Sequence, residues 1–312
     1  MIFSGVQVVV SEITDHIEPV IVVLLRLIIA VIGLFFFTLA EKKGSFKMIV
    51  SNWRVLLAVI GMAISSVTLN QILCAYALSI GTVASVGLMI PLMPIFTTIY
   101  GVILKLEKPT IIRVIGIIAG LIGCIVALNP LRVIHDIRNQ DDLSVFYGMG
   151  IMLVNQMQYP CYIYLMKYVN KQVSVPFTMT WLMMCFSLVI QIFLALPKIK
   201  SFYLSISEIP SFCWWGVAYC GVFGSVIGYG CCSLCNHHIH SMALYTSLML
   251  FLTFFNAIAG VFILDEDFTW WEGVGGSFIC IGMVFVVFGN DQVEEKVEIV
   301  EEMSSIRDKD IV

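Results

Sequence analysis

Nine stretches of this sequence, at about 19–40, 54–77, 80–104, 110–130, 145–166, 174–196, 211–235, 241–264 and 270–289, each run some twenty residues with almost no charge. A helix of that length crosses the ~30 Å hydrocarbon layer of a bilayer. The composition agrees, since 60% of the chain is apolar and 12% charged, against about half and a quarter in a soluble domain. The chain therefore reads as an all-α integral membrane protein with lipid as its first partner. A tenth apolar segment, Met1 to Ser11, would reach only roughly 16 Å as a helix. It is expected to be either the remainder of a span or a half-helix against the bundle.

Lys and Arg collect on the cytoplasmic side of membrane proteins. With the C-terminus inside, the cytoplasmic segments hold Lys42, Lys43, Lys47, Arg54, Lys105, Lys108, Arg113, Lys167, Lys171, Lys296, Arg307 and Lys309, and the other side only Arg132, Arg138, Lys198 and Lys200. This bias predicts an even number of ten helices with both termini cytoplasmic. Trp53, Trp214, Trp215, Trp270 and Trp271 fall at the expected span ends, where indole rings favour the headgroup layer. The acidic run from 290 to 312 reads as a cytoplasmic tail without fixed structure.

The sequence repeats itself. Gly101, Glu107, Gly116 and Gly123 recur as Gly260, Glu266, Gly275 and Gly282, each displaced by 159 residues, and Ser66/Ser225 and Ala84/Ala243 keep the same displacement. Five helices per unit is an odd number, so the second unit is inverted relative to the first. Inverted repeats are a recurrent basis of alternating-access carriers, with the site near the midplane between the halves. The expected organisation is a first repeat over 1–130, an extracytoplasmic loop over 131–144, a second repeat over 145–289 and the tail over 290–312.

At these residues the chain resembles the drug/metabolite transporter superfamily, specifically its ten-helix EamA-type carriers. The resemblance rests on "PLMPIFTTIYGVILKLEKPTIIRVIGIIAGLIGCIVAL" in the first half and "GVFGSVIGYG" with "SMALYTSLMLFLTFFNAIAGVFILDEDFTWWEGVGGSFICIGMVFVVFG" in the second. It extends to "EPVIVVLLRLIIAVIGLFFF", where Pro19 and Arg26 match the family's Pro followed by Arg. Arrangement and length are similar to the plant nodulin-type branch. The second half departs from the repeat at Leu250 and Thr253, which stand where Pro91 and Pro94 would recur. The resemblance implies a multi-pass metabolite carrier that moves small organic solutes, such as amino acids, nucleobase-like compounds or amphipathic metabolites, by alternating access. It implies no cofactor and no catalysis.

Charge inside a membrane is expensive and functional by default. Arg26 is the basic residue well inside a span, and it reads as an anchor for an anionic solute or as one half of an ion pair with Glu12, Asp15 or Glu18. A cavity can also be lined by amides and hydroxyls, and these cluster: Gln7 on the first helix, Asn70 and Gln71 on the third, Asn155, Gln156, Gln158 and Tyr159 on the sixth, Ser225 and Tyr229 on the eighth, Tyr245 and Asn256 on the ninth. Residues three and four apart share a helix face, so Asn155, Gln158 and Tyr159 are expected to face one cavity. Glu107 and Glu266 end their helices, where capping is the expected role. Pro91, Pro94 and Pro160 lie inside spans and are candidate hinges or static bends.

A second function class competes at Cys231, Cys232, Cys235, His237, His238 and His240, whose thiols and imidazoles are ligands for zinc or copper. A metal-binding or metal-transporting protein is the alternative they raise. All of these lie within ten residues, without the second separated ligand pair of a structural zinc site. An enzyme needs a nucleophile with a base and a stabiliser in reach, and neither Ser225 near Tyr229 nor the histidine group carries a supporting motif. The net charge of −4 leaves no basic stripe to neutralise phosphates, so nucleic acid is excluded as a partner. The partners expected are a small-molecule substrate and the bilayer, with the chain a monomer or homodimer.

Overall fold

The structure is a computed structural model, and it describes residues 2–41, 45–80, 89–106, 110–127, 144–173, 175–238, 245–246, 270–271, 273–282 and 284–286. Among these residues every regular element is a helix: α1 (Ile2–Thr14), α2 (Pro19–Leu39), the short α3 (Ser45–Ser51), α4 (Trp53–Ile80), α5 (Met93–Ile103), α6 (Ile111–Ala127), α7 (Ser144–Gln172), α8 (Pro176–Ser205), α9 (Ser211–His238) and α10 (Gly273–Val286). The ninth of the ten expected helices, 241–264, lies outside the described residues apart from Tyr245 and Thr246. α2, α4, α8 and α9 are each long and apolar enough to cross a membrane.

Local chemistry sets the helix ends. Pro19 and Pro176 stand in the first turns of α2 and α8, where the missing N–H costs nothing. Asn52 caps α4 by accepting from the Arg54 N–H at 3.2 Å. α5 closes on Lys105 at φ 55°, with the Leu106 N–H reaching back to the Gly101 carbonyl at 2.9 Å, the reverse turn that stops a helix. Pro91 and Pro94 were expected inside a span. They occupy a 3₁₀ turn at Ile90–Leu92 and the first turn of α5, where proline is accommodated, so of the three prolines expected to bend a span only Pro160 interrupts a described helix.

The faces of these helices are sorted for lipid. On α2, Val22, Val23, Leu27, Ala30 and Leu34 are buried, while Ile28, Ile32, Phe35, Phe36 and Leu39 point outward. On α6 the exposed face is Ile111, Ile115, Ile118, Ile122 and Ile125, a helical stripe of isoleucine that water would not tolerate. Its other face carries Gly116, Gly120 and Gly123 and meets α10. A methyl on Gly116 would stand 2.7 Å from the Gly282 carbonyl oxygen, and one on Gly123 would stand 2.7 Å from the Gly275 oxygen.

These two contacts are one contact seen twice. The repeat displacement carries Gly116 onto Gly275 and Gly123 onto Gly282, so exchanging the halves turns the first pair into the second. α4 and α9 share a second mark of the same symmetry: each contains a π-helical segment, Ala63–Leu69 and Cys220–Gly228, and these overlap under the same displacement. π turns are rare and collect at functional sites. Both hold a fully buried serine, Ser66 and Ser225, whose hydroxyl finds no hydrogen-bond partner among the described residues. The chain is a multi-pass membrane protein of two inverted repeats.

Helix pairing across the halves is polar as well as apolar. α8 is tied to α2 by the Trp181 indole N–H on the Val31 carbonyl at 3.1 Å and by the Gln191 amide on the Val20 carbonyl at 2.8 Å. Thr68 of α4 meets Ser187 of α8 at 2.8 Å. In lipid such bonds replace the hydrophobic drive between helices.

Candidate functional site

α1, α2, α4, α7 and α9 enclose a cavity of about 120 Å³. A cavity of about 150 Å³ holds a benzene molecule, so this one, as it stands, holds a solute somewhat smaller than that. Its polar wall is built by both halves: Gln7, Arg26, Asn70 and Gln71 from the first, Asn155, Gln156, Tyr159 and Tyr229 from the second. The remaining wall is apolar, with Val6, Cys74, Leu78, Ile90, Met93, Met152 and Cys232 among its groups. Leu78 in the last turn of α4 and Ile90 just before α5 carry the cavity toward the end of the bundle where α2 begins.

The amides are held in a chain of bonds. Asn155 Oδ1 accepts from Asn70 Nδ2 at 3.1 Å and from Gln158 Nε2 at 3.0 Å. Tyr229 donates its hydroxyl to the Ser66 carbonyl at 3.1 Å and receives the Gln71 amide at 3.5 Å. Arg26 threads between α1 and α9, its guanidinium 3.3 Å from where a Gly224 side chain would begin. Glycine there makes the passage possible.

Three polar atoms on this wall are buried and unsatisfied among the described residues: Arg26 Nε, Gln71 Oε1 and Gln156 Oε1. Arg26 is 7% exposed and forms no ion pair with the acids expected beside it. Glu18 turns instead to Lys198 at 2.8 Å, Asp15 is exposed, and Glu12 lies in a separate lateral groove with Phe212, Trp215 and Tyr219. The reason is spacing: Arg26 sits two turns inside α2, whereas the acids cluster at the α1–α2 turn. A buried cation and buried amide oxygens without partners cost free energy until something supplies the complement.

At the opposite end, where α2 finishes, several of the described helices are bonded to one another. Ser233 Oγ donates to the Pro176 carbonyl at 3.1 Å, and the Asn170 amide donates to Asn236 Oδ1 at 3.2 Å. Glu41, just beyond α2, accepts from the backbone N–H groups of Phe177 at 2.7 Å and Thr178 at 2.8 Å and from the Thr178 hydroxyl at 2.5 Å.

Of the residues expected to line the cavity, Gln158 supports Asn155 from behind, and Ser225 and Tyr245 are buried outside its wall. Asn256 lies outside the described residues, as do Glu107, Gly260, Glu266 and His240. The apolar wall and Glu41 were not foreseen; an acid directly after the apolar run of α2 was the available signal. Cys232 faces the cavity while Cys231 and Cys235 are exposed, so the thiols diverge around the helix. Among the described residues no three of His, Cys, Asp and Glu converge on a metal position. Accordingly, Cys231→Ser together with Cys235→Ser is expected to leave solute uptake unchanged, and a loss of uptake would restore the metal reading.

The EamA-like transporter family model matches residues 1–129 and 147–288. One solved crystal structure superposes with a TM-score of 0.67 over 92% of this chain and 94% of its own, at 16% identity, a likeness of fold alone. No curated protein matches the chain.

Proposed function

The chain belongs to the EamA-like transporter family and is a membrane transporter of small molecules rather than an enzyme, and from that premise we propose that it carries small organic solutes bearing an anionic group, by alternating access through the cavity between its halves. The observation that carries this reading is Arg26. It is a buried cation without a carboxylate partner among the described residues, and it shares a cavity wall with two amide oxygens that lack donors. A solute with an acidic group for Arg26 and N–H or O–H groups for Gln71 and Gln156 would satisfy all three, exchanging its water shell for fixed partners. The apolar wall accommodates a short hydrocarbon part.

In this reading the halves are residues 1–130 and 145–289, and both termini are cytoplasmic because Lys and Arg concentrate where α2 finishes. The cavity then leans toward the outer face, and the Glu41 contact between the halves closes the inner one.

The test is uptake into proteoliposomes from a pooled panel of amino acids, nucleobases, sugars, organic acids and amines, read by mass spectrometry with and without a proton gradient. Accumulation of acid-bearing solutes is expected, and uptake confined to neutral or cationic ones would overturn the anionic preference. Asn155→Ala together with Gln158→Ala removes both ends of a partly buried bond and leaves the Asn70 amide without its acceptor. Uptake of the identified solute is expected to fall about tenfold, the loss that one to two neutral hydrogen bonds of about 1 kcal/mol each imply. Undiminished uptake would remove Asn155 and Gln158 from the site.

A further inference from the structure

We propose that Glu41 is the latch that holds the α2-finish end shut, and that the Glu18–Lys198 pair is its weaker counterpart at the other end; this rests on the alternating-access reading above. α8 begins with Pro176 and is preceded by Val175, which has no side chain able to cap a helix, so the Phe177 and Thr178 N–H groups at its start need an acceptor from elsewhere. Glu41 supplies it from the other half of the molecule. Each carboxylate oxygen is engaged, Oε1 by Phe177 and Oε2 by Thr178 twice, and the negative charge also meets the positive end of the α8 dipole. No local need of α2 explains this contact. It exists only while the end of α2 and the start of α8 are together.

The repeat displacement gives the contact a partner. It carries Phe177 and Thr178 back onto Glu18 and Pro19, and Glu41 forward to residue 200, beside Lys198. The exchanged contact is thus between the start of α2 and the end of α8, and there the structure has the Glu18–Lys198 ion pair at 2.8 Å. One pair of helices, α2 and α8, is joined at both ends, by contacts of different chemistry that fall in corresponding regions of the repeat though not at corresponding residues. Glu18 and Lys198 are 46% and 47% exposed, and an exposed pair of this kind is worth little and is screened by salt. The Glu41 contact is partly buried with three charge-assisted bonds, the stronger class. Both contacts are made in this structure, and the inequality makes the α2-finish end the harder of the two to part.

Cys232 reports on this end directly. It lines the cavity, is 8% exposed, and lies next to Ser233, whose hydroxyl joins α9 to the start of α8. Parting that end exposes its thiol. The experiment alkylates the full-length protein in proteoliposomes with a membrane-impermeant maleimide, supplied outside or trapped inside, and quantifies each cysteine by peptide mass spectrometry. Glu41→Gln leaves one acceptor and sets an amide NH₂ against a backbone N–H; Cys232 is expected to react roughly tenfold faster from the α2-finish side, the factor that loss of one charge-assisted bond implies. Glu18→Gln is expected to leave or lower that rate. A rate within about twofold of the parent protein in Glu41→Gln overturns the proposal, since a lost charge-assisted bond predicts more.

Unfolding would be recognised because Cys213 and Cys220, both fully buried in α9, would react in parallel. In that event Thr178→Val decides, since it deletes one of the three bonds; a rise of about threefold is expected, and no rise overturns the latch. Alkylation needs no substrate. A failure of the uptake panel with a responsive Cys232 would therefore strike the transport reading alone, and an unresponsive Cys232 with intact uptake would strike the latch alone.

Discussion

Arg26→Ala is expected to abolish solute uptake while leaving the protein folded. Truncating one member of a buried ion pair ordinarily destabilises, because the other charge is left behind unpaired. Arg26 has no such member among the described residues, so its removal strands nothing and lifts the cost of a buried cation. The apparent melting temperature in detergent should hold or rise. Uptake should fall by roughly a hundredfold or more, because a guanidinium fork on an acidic group makes two charge-assisted bonds of about 1.5–3 kcal/mol each. Arg26→Lys keeps the charge but loses the fork, and an intermediate loss is expected. The measurements are initial uptake of the identified solute and thermal unfolding, made on the same preparations. Full uptake by Arg26→Ala would end Arg26's role as anion anchor, and a collapse of stability would show it to be a structural brace instead.

The second large effect falls on folding rather than transport. Gly282→Leu should prevent α6 and α10 from closing, because its first side-chain atom would stand 2.6 Å from the Gly120 nitrogen and 2.7 Å from the Gly116 carbonyl oxygen. Both neighbours are backbone, so no rotamer change relieves the overlap and the helices must separate. Overpacking that side chains can absorb costs about 1–3 kcal/mol; this case should exceed it and lower the melting temperature by roughly 10 °C, at about 2–4 °C per kcal/mol. Gly116→Leu, across the same contact, should cost about as much, and the double variant clearly less than the sum, since helices already parted admit a second side chain. Size-exclusion profiles and thermal melts of the three variants check this. Additive losses would mean that the two glycines do not share one contact.

Much of the architecture is legible in the sequence. Apolar runs near hydrocarbon thickness have few other uses, and α2, expected at 19–40, spans Pro19–Leu39. The glycine repeat was legible because close backbone approach leaves glycine in sequence; what it could not reveal is that Gly116 meets Gly282 rather than its own counterpart Gly275, which is a matter of crossing geometry. In the cavity, Asn70, Gln71, Asn155 and Gln156 could be foreseen because amides in lipid must be satisfied somewhere. Ser225 could not be separated from them, since one residue of helical rotation, set by the π segment, decides whether it faces the cavity or the packing interface. The apolar wall was invisible, as Met93 and Met152 look like any other lipid-soluble residue. Glu41 is not legible as a site residue because two of its three partners are backbone N–H groups, some 136 residues away for Phe177, and no side-chain pattern announces a backbone donor.

The paired π segments bear on how this chain tolerates insertion and deletion. An α-helix turns about 100° per residue, so a codon lost from 63–69 would rotate all of α4 beyond it by that angle and swing Asn70 and Gln71 off the wall they share with Arg26. The same loss from 220–228 would carry Tyr229 and Cys232 away. Each segment thus sets the angle at which its own half meets the cavity, and a change of length in either one takes that half's polar groups off the wall.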